Sequence, residues 1–119
     1  MKFKIFITCW VMVGLLSFLS GCSKNNNEKP ITGKKWNIDL VKFVDNSYTQ
    51  TFESNLYETF RENGFKEGRD YEIRSRSAQA DMTNLTMLID ASVSDKVDLL
   101  ITFQAQSLFA AINRAPNIP

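Results

Sequence analysis

Few side chains here have the type and spacing to do chemistry. The 119 residues hold two cysteines, Cys9 and Cys22, and no histidine. Cys22 follows Leu19, Ser20 and Gly21. Small residues at Ser20 and Gly21 let an extended backbone enter a peptidase site, and the Cys22 thiol can then carry a diacylglyceryl thioether. Cys9 lies inside the apolar run that such a cleavage discards. With Cys22 alkylated, no thiol is left for a disulfide, a metal–thiolate site or a nucleophile. The lack of histidine removes the commonest general base and the commonest metal ligand. Asp39, Asp45 and Asp81 show no paired-carboxylate spacing, there is no Ser/His pair, and Gly64 and Gly68 are turn glycines at the wrong end of a helix to cradle phosphate. Neither catalysis nor a cofactor nor a bound metal is expected.

The residues ahead of Cys22 have the order of an export signal. Lys2 and Lys4 give a positive start, and Ile5 to Leu19 is almost wholly apolar. That run is short for a membrane span, which needs about 20 residues, and suits a signal-peptide core. Leu19-Ser20-Gly21-Cys22 resembles the lipobox of bacterial lipoproteins. The expectation is a lipoprotein signal peptide over 1–21 and an exported chain, held by lipid on Cys22 at the cell membrane or facing the periplasm. An uncleaved anchor helix and an ordinary signal peptide are the plainer alternatives. From Ser23 to Lys35 the chain is polar, with one Pro and one Gly. Residues 22–35 therefore read as the lipidated cysteine and a flexible tether, whose last 13 residues reach ~45 Å at ~3.5 Å each. Losing Lys2 and Lys4 from 14 basic side chains leaves 12 against 13 acidic ones, about −1 net. That balance makes no electrostatic case for nucleic acid.

Residues 36–119 carry the folding signals. Trp36 to Val44 alternates, then turns apolar on both sides, as a strand buried on both faces does. Ser47-x-x-Gln50 fits a capping box, and Tyr48, Phe52, Leu56 and Phe60 form one stripe of a helix that Asn63-Gly64 ends. Tyr71, Ile73 and Ser75 alternate with Glu72, Arg74 and Arg76, the pattern of a strand near an edge. Asp81 can cap a helix with Met82, Leu85, Leu88, Ile89 and Val93 on its apolar positions. Val97 to Thr102 is a third strand. Gln104 to Asn113 is a third helix, with Leu108, Phe109 and Ile112 expected inward. Strands alternating with helices predict an α/β fold, a parallel sheet covered on both faces in a three-layer, flavodoxin-like or Rossmann-like arrangement. Right-handed crossovers favour strand order 2-1-3. Ala115-Pro116-Asn117-Ile118-Pro119 looks like the approach to a fourth strand, so a truncated product or fragment is expected.

Ile38 to Val44, Phe60-Arg61-Glu62-Asn63-Gly64-Phe65-Lys66-Glu67-Gly68-Arg69-Asp70-Tyr71-Glu72-Ile73, Ala78 to Asp81 and Lys96 to Ile101 carry a family resemblance. Over 36–119 the chain is similar to the opening of bacterial ABC-transporter substrate-binding proteins, nearest those that bind tryptophan or tyrosine, in the type 1 periplasmic-binding fold. The resemblance implies part of the first of two hinged lobes. It also implies a small-molecule ligand, an aromatic amino acid or similar solute, with an ABC permease and an ATPase as partners. A ligand-sensing module of a signalling system and an orphan structural lipoprotein remain as other readings.

In parallel α/β sheets, ligands lie beyond the carboxyl ends of the strands, near helix N-termini. Three loops qualify, and they supply the candidate ligand-binding residues. Asp45, Asn46, Ser47 and Tyr48 follow the first strand. Gln79 and Asp81 follow the second. Thr102, Gln104, Ala105 and Gln106 follow the third. An amino-acid carboxylate would suit the N–H groups at the third helix start, and an amine would suit Asp45 or Asp81. The plain alternatives are caps for Ser47 and Asp81, core for Tyr48 and solvated surface for Gln104 and Gln106. Members of the family often carry His and Pro in the first loop and Thr-Pro in the third, where this chain has Asn46-Ser47-Tyr48 and Phe103-Gln104.

Overall fold

Successive side chains of a strand point to opposite faces of its sheet, and every residue of the first strand from Ile38 to Lys42 is buried. That strand therefore needs cover on both sides. The computed structural model, which describes residues 31–119, supplies it. The expected signal peptide, Cys22 and the tether up to residue 30 lie outside the described residues.

The order is β1 (Trp36–Lys42), α1 (Ser47–Glu62), β2 (Tyr71–Ser77), α2 (Met82–Ser94), β3 (Leu99–Phe103) and α3 (Ala105–Arg114). The sheet is parallel with order β2-β1-β3, as the crossover rule favours. Ile38 sits opposite Ile73 on one side and Leu99 on the other. On one face, Ile38, Leu40, Tyr71 and Ile73 pack with Phe52, Leu56, Tyr57 and Phe60 of α1. On the other, Val41 and Ala78 pack with Leu85 and Ile89 of α2 and with Ala110 and Ala111 of α3. The result is three layers.

One polar residue sits in the centre of this arrangement. Asp39 is fully buried on the α2 face of β1. Its carboxylate accepts from Arg74 Nε at 2.7 Å and from Ser92 Oγ at 2.6 Å, with Arg76 Nη2 at 3.5 Å. Arg74 faces Asp39 directly in the β1–β2 register. A buried charge is tolerated only when paired and hydrogen-bonded, so this cluster fixes how β2 and α2 meet β1.

Several boundaries differ from the sequence reading. β1 stops at Lys42, because the Phe43 carbonyl and the Val44 N–H bond to loop residues instead of to a strand. β3 begins at Leu99 and runs to Phe103; Val97 is buried in the turn before it. The cap of α1 is Asn46 in place of Ser47, and Thr49, not Gln50, completes the capping box. The inward face of α3 is small: Ser107 is buried, and Ala110 and Ala111 touch the core. Leu108, Phe109 and Ile112 are 49%, 63% and 59% exposed, against the expectation that they point inward. Close approach of the helix to the sheet selects small side chains and leaves the large ones outside. No helix among the described residues is long and apolar enough to cross a membrane.

Candidate functional site

The three loops at the carboxyl ends of the strands are joined into one surface. After β1, the Asn46 carboxamide accepts from the N–H groups of Tyr48 and Thr49, both at 3.0 Å. Thr49 Oγ1 in turn accepts from the Asn46 N–H at 2.8 Å and contacts Asp45 Oδ1 at 3.1 Å. Asn46 Oδ1 is thus committed to capping, and Ser47 is an exposed first-turn residue. Asp45 lies 3.7 Å from Lys42 Nζ, which also bonds Glu53 Oε2 at 2.7 Å. Lys42 is nearly inaccessible at the end of β1; its ammonium is balanced by those two carboxylates.

After β2, Gln79 and Ala80 take positive φ angles of 57° and 61°. The turn is held by Ala80 N–H on Phe43 O at 2.8 Å, which ties it to the first loop. Asp81 accepts from the Asn84 N–H at 2.7 Å and is the cap of α2. Gln79 projects from this turn as an exposed residue.

After β3, Gln104 has φ 79°. Its Oε1 accepts from the Val44 N–H at 2.9 Å, so this side chain bridges the first and third loops instead of being solvated. Gln104 makes no side-chain cap on α3. The first-turn N–H groups of Ala105, Gln106 and Ser107 therefore have no capping side chain, which leaves the positive end of the helix open at this surface. Ser107 Oγ, in the same turn, is buried without a hydrogen-bond partner. Thr102 lies within β3 and is half-buried, instead of belonging to the loop after it, and Ala105 and Gln106 are exposed.

An aromatic shelf lies between the first and third loops. Phe52 stacks on Phe103 with centroids 4.3 Å apart, and Tyr48 tilts against Phe103 at 5.7 Å. Tyr48 is 74% exposed, so it belongs to the surface and not to the core stripe. Three of the four positive-φ residues other than glycine among the described residues, Gln79, Ala80 and Gln104, occur in these loops. Such backbone strain clusters at ligand-binding sites.

Among known proteins, no family model and no curated sequence matches the chain. The solved ligand-free, open structure of CD0873, a substrate binding protein with adhesive properties from Clostridium difficile, is similar at 27% sequence identity with a TM-score of 0.67. The match covers 71% of this chain and 28% of that chain. The three-stranded parallel sheet and its helices are similar in fold to part of a lobe of that substrate-binding protein. This chain spans little more than a quarter of the neighbour it matches.

Within that fold, the structure brings Asp45, Tyr48, Gln104, Ala105 and Gln106 to one surface. Asn46 and Asp81 are used as caps. Lys42, Glu53 and Phe103 also reach this end of the sheet, and the motif reading did not assign them a role. Phe103 could have been found by its register: it pairs with Lys42 at the last rung of the ladder. Lys42 carried no such signal, because its carboxylate partners Asp45 and Glu53 are brought to it only by the turn after β1 and by the packing of α1. A shallow concavity of about 360 Å³ follows the outer edge of β3, lined by Leu100, Thr102, Leu108, Ile112 and Ile118.

Proposed function

We propose that the chain is the first-lobe portion of a lipid-anchored solute-binding protein serving an ABC importer, with an amino acid, best an aromatic one, as its solute. The observation that carries the reading is the pairing of an exposed aromatic shelf, Tyr48 on Phe103, with the uncapped N-terminus of α3. A ring can stack on the first while a carboxylate takes hydrogen bonds from the second. Asp45, at the edge of the same surface, suits the ammonium group. The similarity to a substrate-binding protein supports solute binding as the general role. Attachment through Cys22, and a permease and ATPase as partners, complete the proposal. Importers of this kind leave the chemistry to the ATPase.

The test is calorimetric titration of the protein with the amino acids. Heat from tyrosine, tryptophan or phenylalanine that disappears in Tyr48→Ala supports the reading. Silence for every amino acid removes it and leaves a structural lipoprotein. For the anchor, metabolic labelling with a fatty acid should mark the chain and spare Cys22→Ser; equal labelling of both defeats the anchor assignment.

A further inference from the structure

The segment that enters the domain is tied down at one end of the sheet only. Asp70 and Asp98 directly precede β2 and β3 and so lie at the amino ends of the strands. The Ile31 N–H donates to Asp70 Oδ1 at 2.6 Å. Asp70 is 1% exposed, and its other oxygen accepts from the Lys66 N–H and from Arg69 Nε, each at 2.8 Å. The Ile31 side chain lies over Gly64 at the end of α1, 3.9 Å from where a Cβ would stand. Thr32 Oγ1 accepts from Trp36 Nε1 at 3.2 Å and donates to the Lys34 carbonyl at 2.9 Å. Lys34 pairs with Asp98, and its ammonium lies 5.0 Å from the Trp36 ring centroid. Lys35 pairs with Glu72 at 2.7 Å.

The exposed lysine pairs contribute little singly. The Asp70 contact differs, since a buried carboxylate strongly favours keeping every donor it has. A polar linker ordinarily leaves a domain free to point anywhere. Here the last five linker residues are laid along the base. β1 spans ~20 Å at ~3.3 Å per residue, which separates this base from the Tyr48–Gln104 surface at the other end.

We infer that residues 31–35 form a docking strap, so that the chain leaves the domain from the amino ends of the strands and the solute-binding surface points away from whatever holds the chain upstream. With lipid on Cys22, that is away from the membrane. Only this last clause rests on the proposed anchor; the strap itself does not.

Spin-label distances test it in the full chain carrying Cys9→Ser and Cys22→Ser. One label goes on Asn27→Cys, four residues upstream of the strap. The second goes on Glu62→Cys, at the base, or on Ser47→Cys, at the far end of α1. The strap predicts a distribution to 62 narrower than in the strap variants below and a mean to 47 longer by about 20 Å, since the 16-residue α1 is ~24 Å long. Equal means for the two pairs in this parent overturn the inference without any further variant. Thr32→Ala with Lys34→Ala, and separately Asp70→Asn, should broaden both distributions; unchanged widths in all of them also overturn it. Failure of the anchor would show differently, as the unmodified chain leaving the membrane fraction of cells.

Discussion

Gln104 Oε1 accepts a hydrogen bond from the Val44 backbone N–H at 2.9 Å, joining two loops 60 residues apart in sequence. The bond occupies the side chain that would otherwise cap α3, and Gln104 holds φ 79° while making it. Gln104→Ala removes the acceptor and keeps an L-residue in the left-handed region. A loss of about 1 kcal/mol is expected from urea unfolding, by the usual worth of one such bond. Gln104→Gly relieves the backbone and should cost less than Ala. If Gly costs more than Ala, the strained conformation is not what the site holds.

Asp39 and Ser92 give a second prediction. Ser92 Oγ donates to Asp39 at 2.6 Å with both residues fully buried. Asp39→Ala leaves Arg74 and Arg76 with Asp95 as their remaining carboxylate partner and should cost about 3 kcal/mol, the low end for breaking a buried pair because Arg74 keeps that partner and reaches solvent. Ser92→Ala and the double variant complete a cycle with a coupling of about 1 kcal/mol. Additive losses would mean that the two side chains do not act together.

Acid unfolding should report on Asp70. The Arg69 guanidinium bonded to its carboxylate, with backbone N–H groups from Lys66 and Ile31, holds its pKa down at about 2, below an ordinary 3.8. A depressed folded pKa means stability that is fully present above about pH 4 and is lost as pH falls toward 2. Asp90, Asp95 and Asp98 are lowered as well, each by a basic partner or a backbone N–H, and act with the same sign. Asp70→Asn should therefore flatten the pH dependence of the unfolding midpoint between pH 4 and 2. A dependence as steep as the parent's in that window would contradict the Asp70 contribution.

The two sides of the α3 packing should respond in opposite ways. Leu85 is fully buried in the α2–α3 layer, and Leu85→Ala should cost about 3 kcal/mol by lost burial and the cavity left. Phe109→Ser and Leu108→Ser change exposed positions and should stay within about 0.5 kcal/mol in the same denaturation experiment. A large loss at Phe109 would restore the inward helix face that the periodicity suggests.

Ligand contact gives the last prediction. Tyr48→Ala removes the exposed member of the shelf and leaves Phe52 stacked on Phe103. It should weaken aromatic amino-acid binding about five- to tenfold, at about 1–1.5 kcal/mol for an aromatic pair, with an unfolding midpoint close to the parent's. Loss of both together would place Tyr48 in the core.

Periodicity determined the element order and the parallel sheet, and the crossover rule added to it favoured strand order 2-1-3. Those follow from local chemistry: β1 is apolar on both faces, β2 alternates, and handed crossovers leave few ways to join them. The sequence also marked Asp81 as a cap, because the carboxylate bonds a backbone N–H three residues on. What it could not determine depends on groups far apart along the chain. Whether Asn46 or Ser47 caps α1 turns on one residue of register. Which face of α3 turns inward depends on how closely the helix approaches the sheet, and only small side chains permit that approach. Gln104 meets Val44, and Asp70 meets Ile31, only because the parallel crossovers bring their loops to opposite ends of one sheet. Local sequence carries the elements; the tertiary fold decides which side chains share an end.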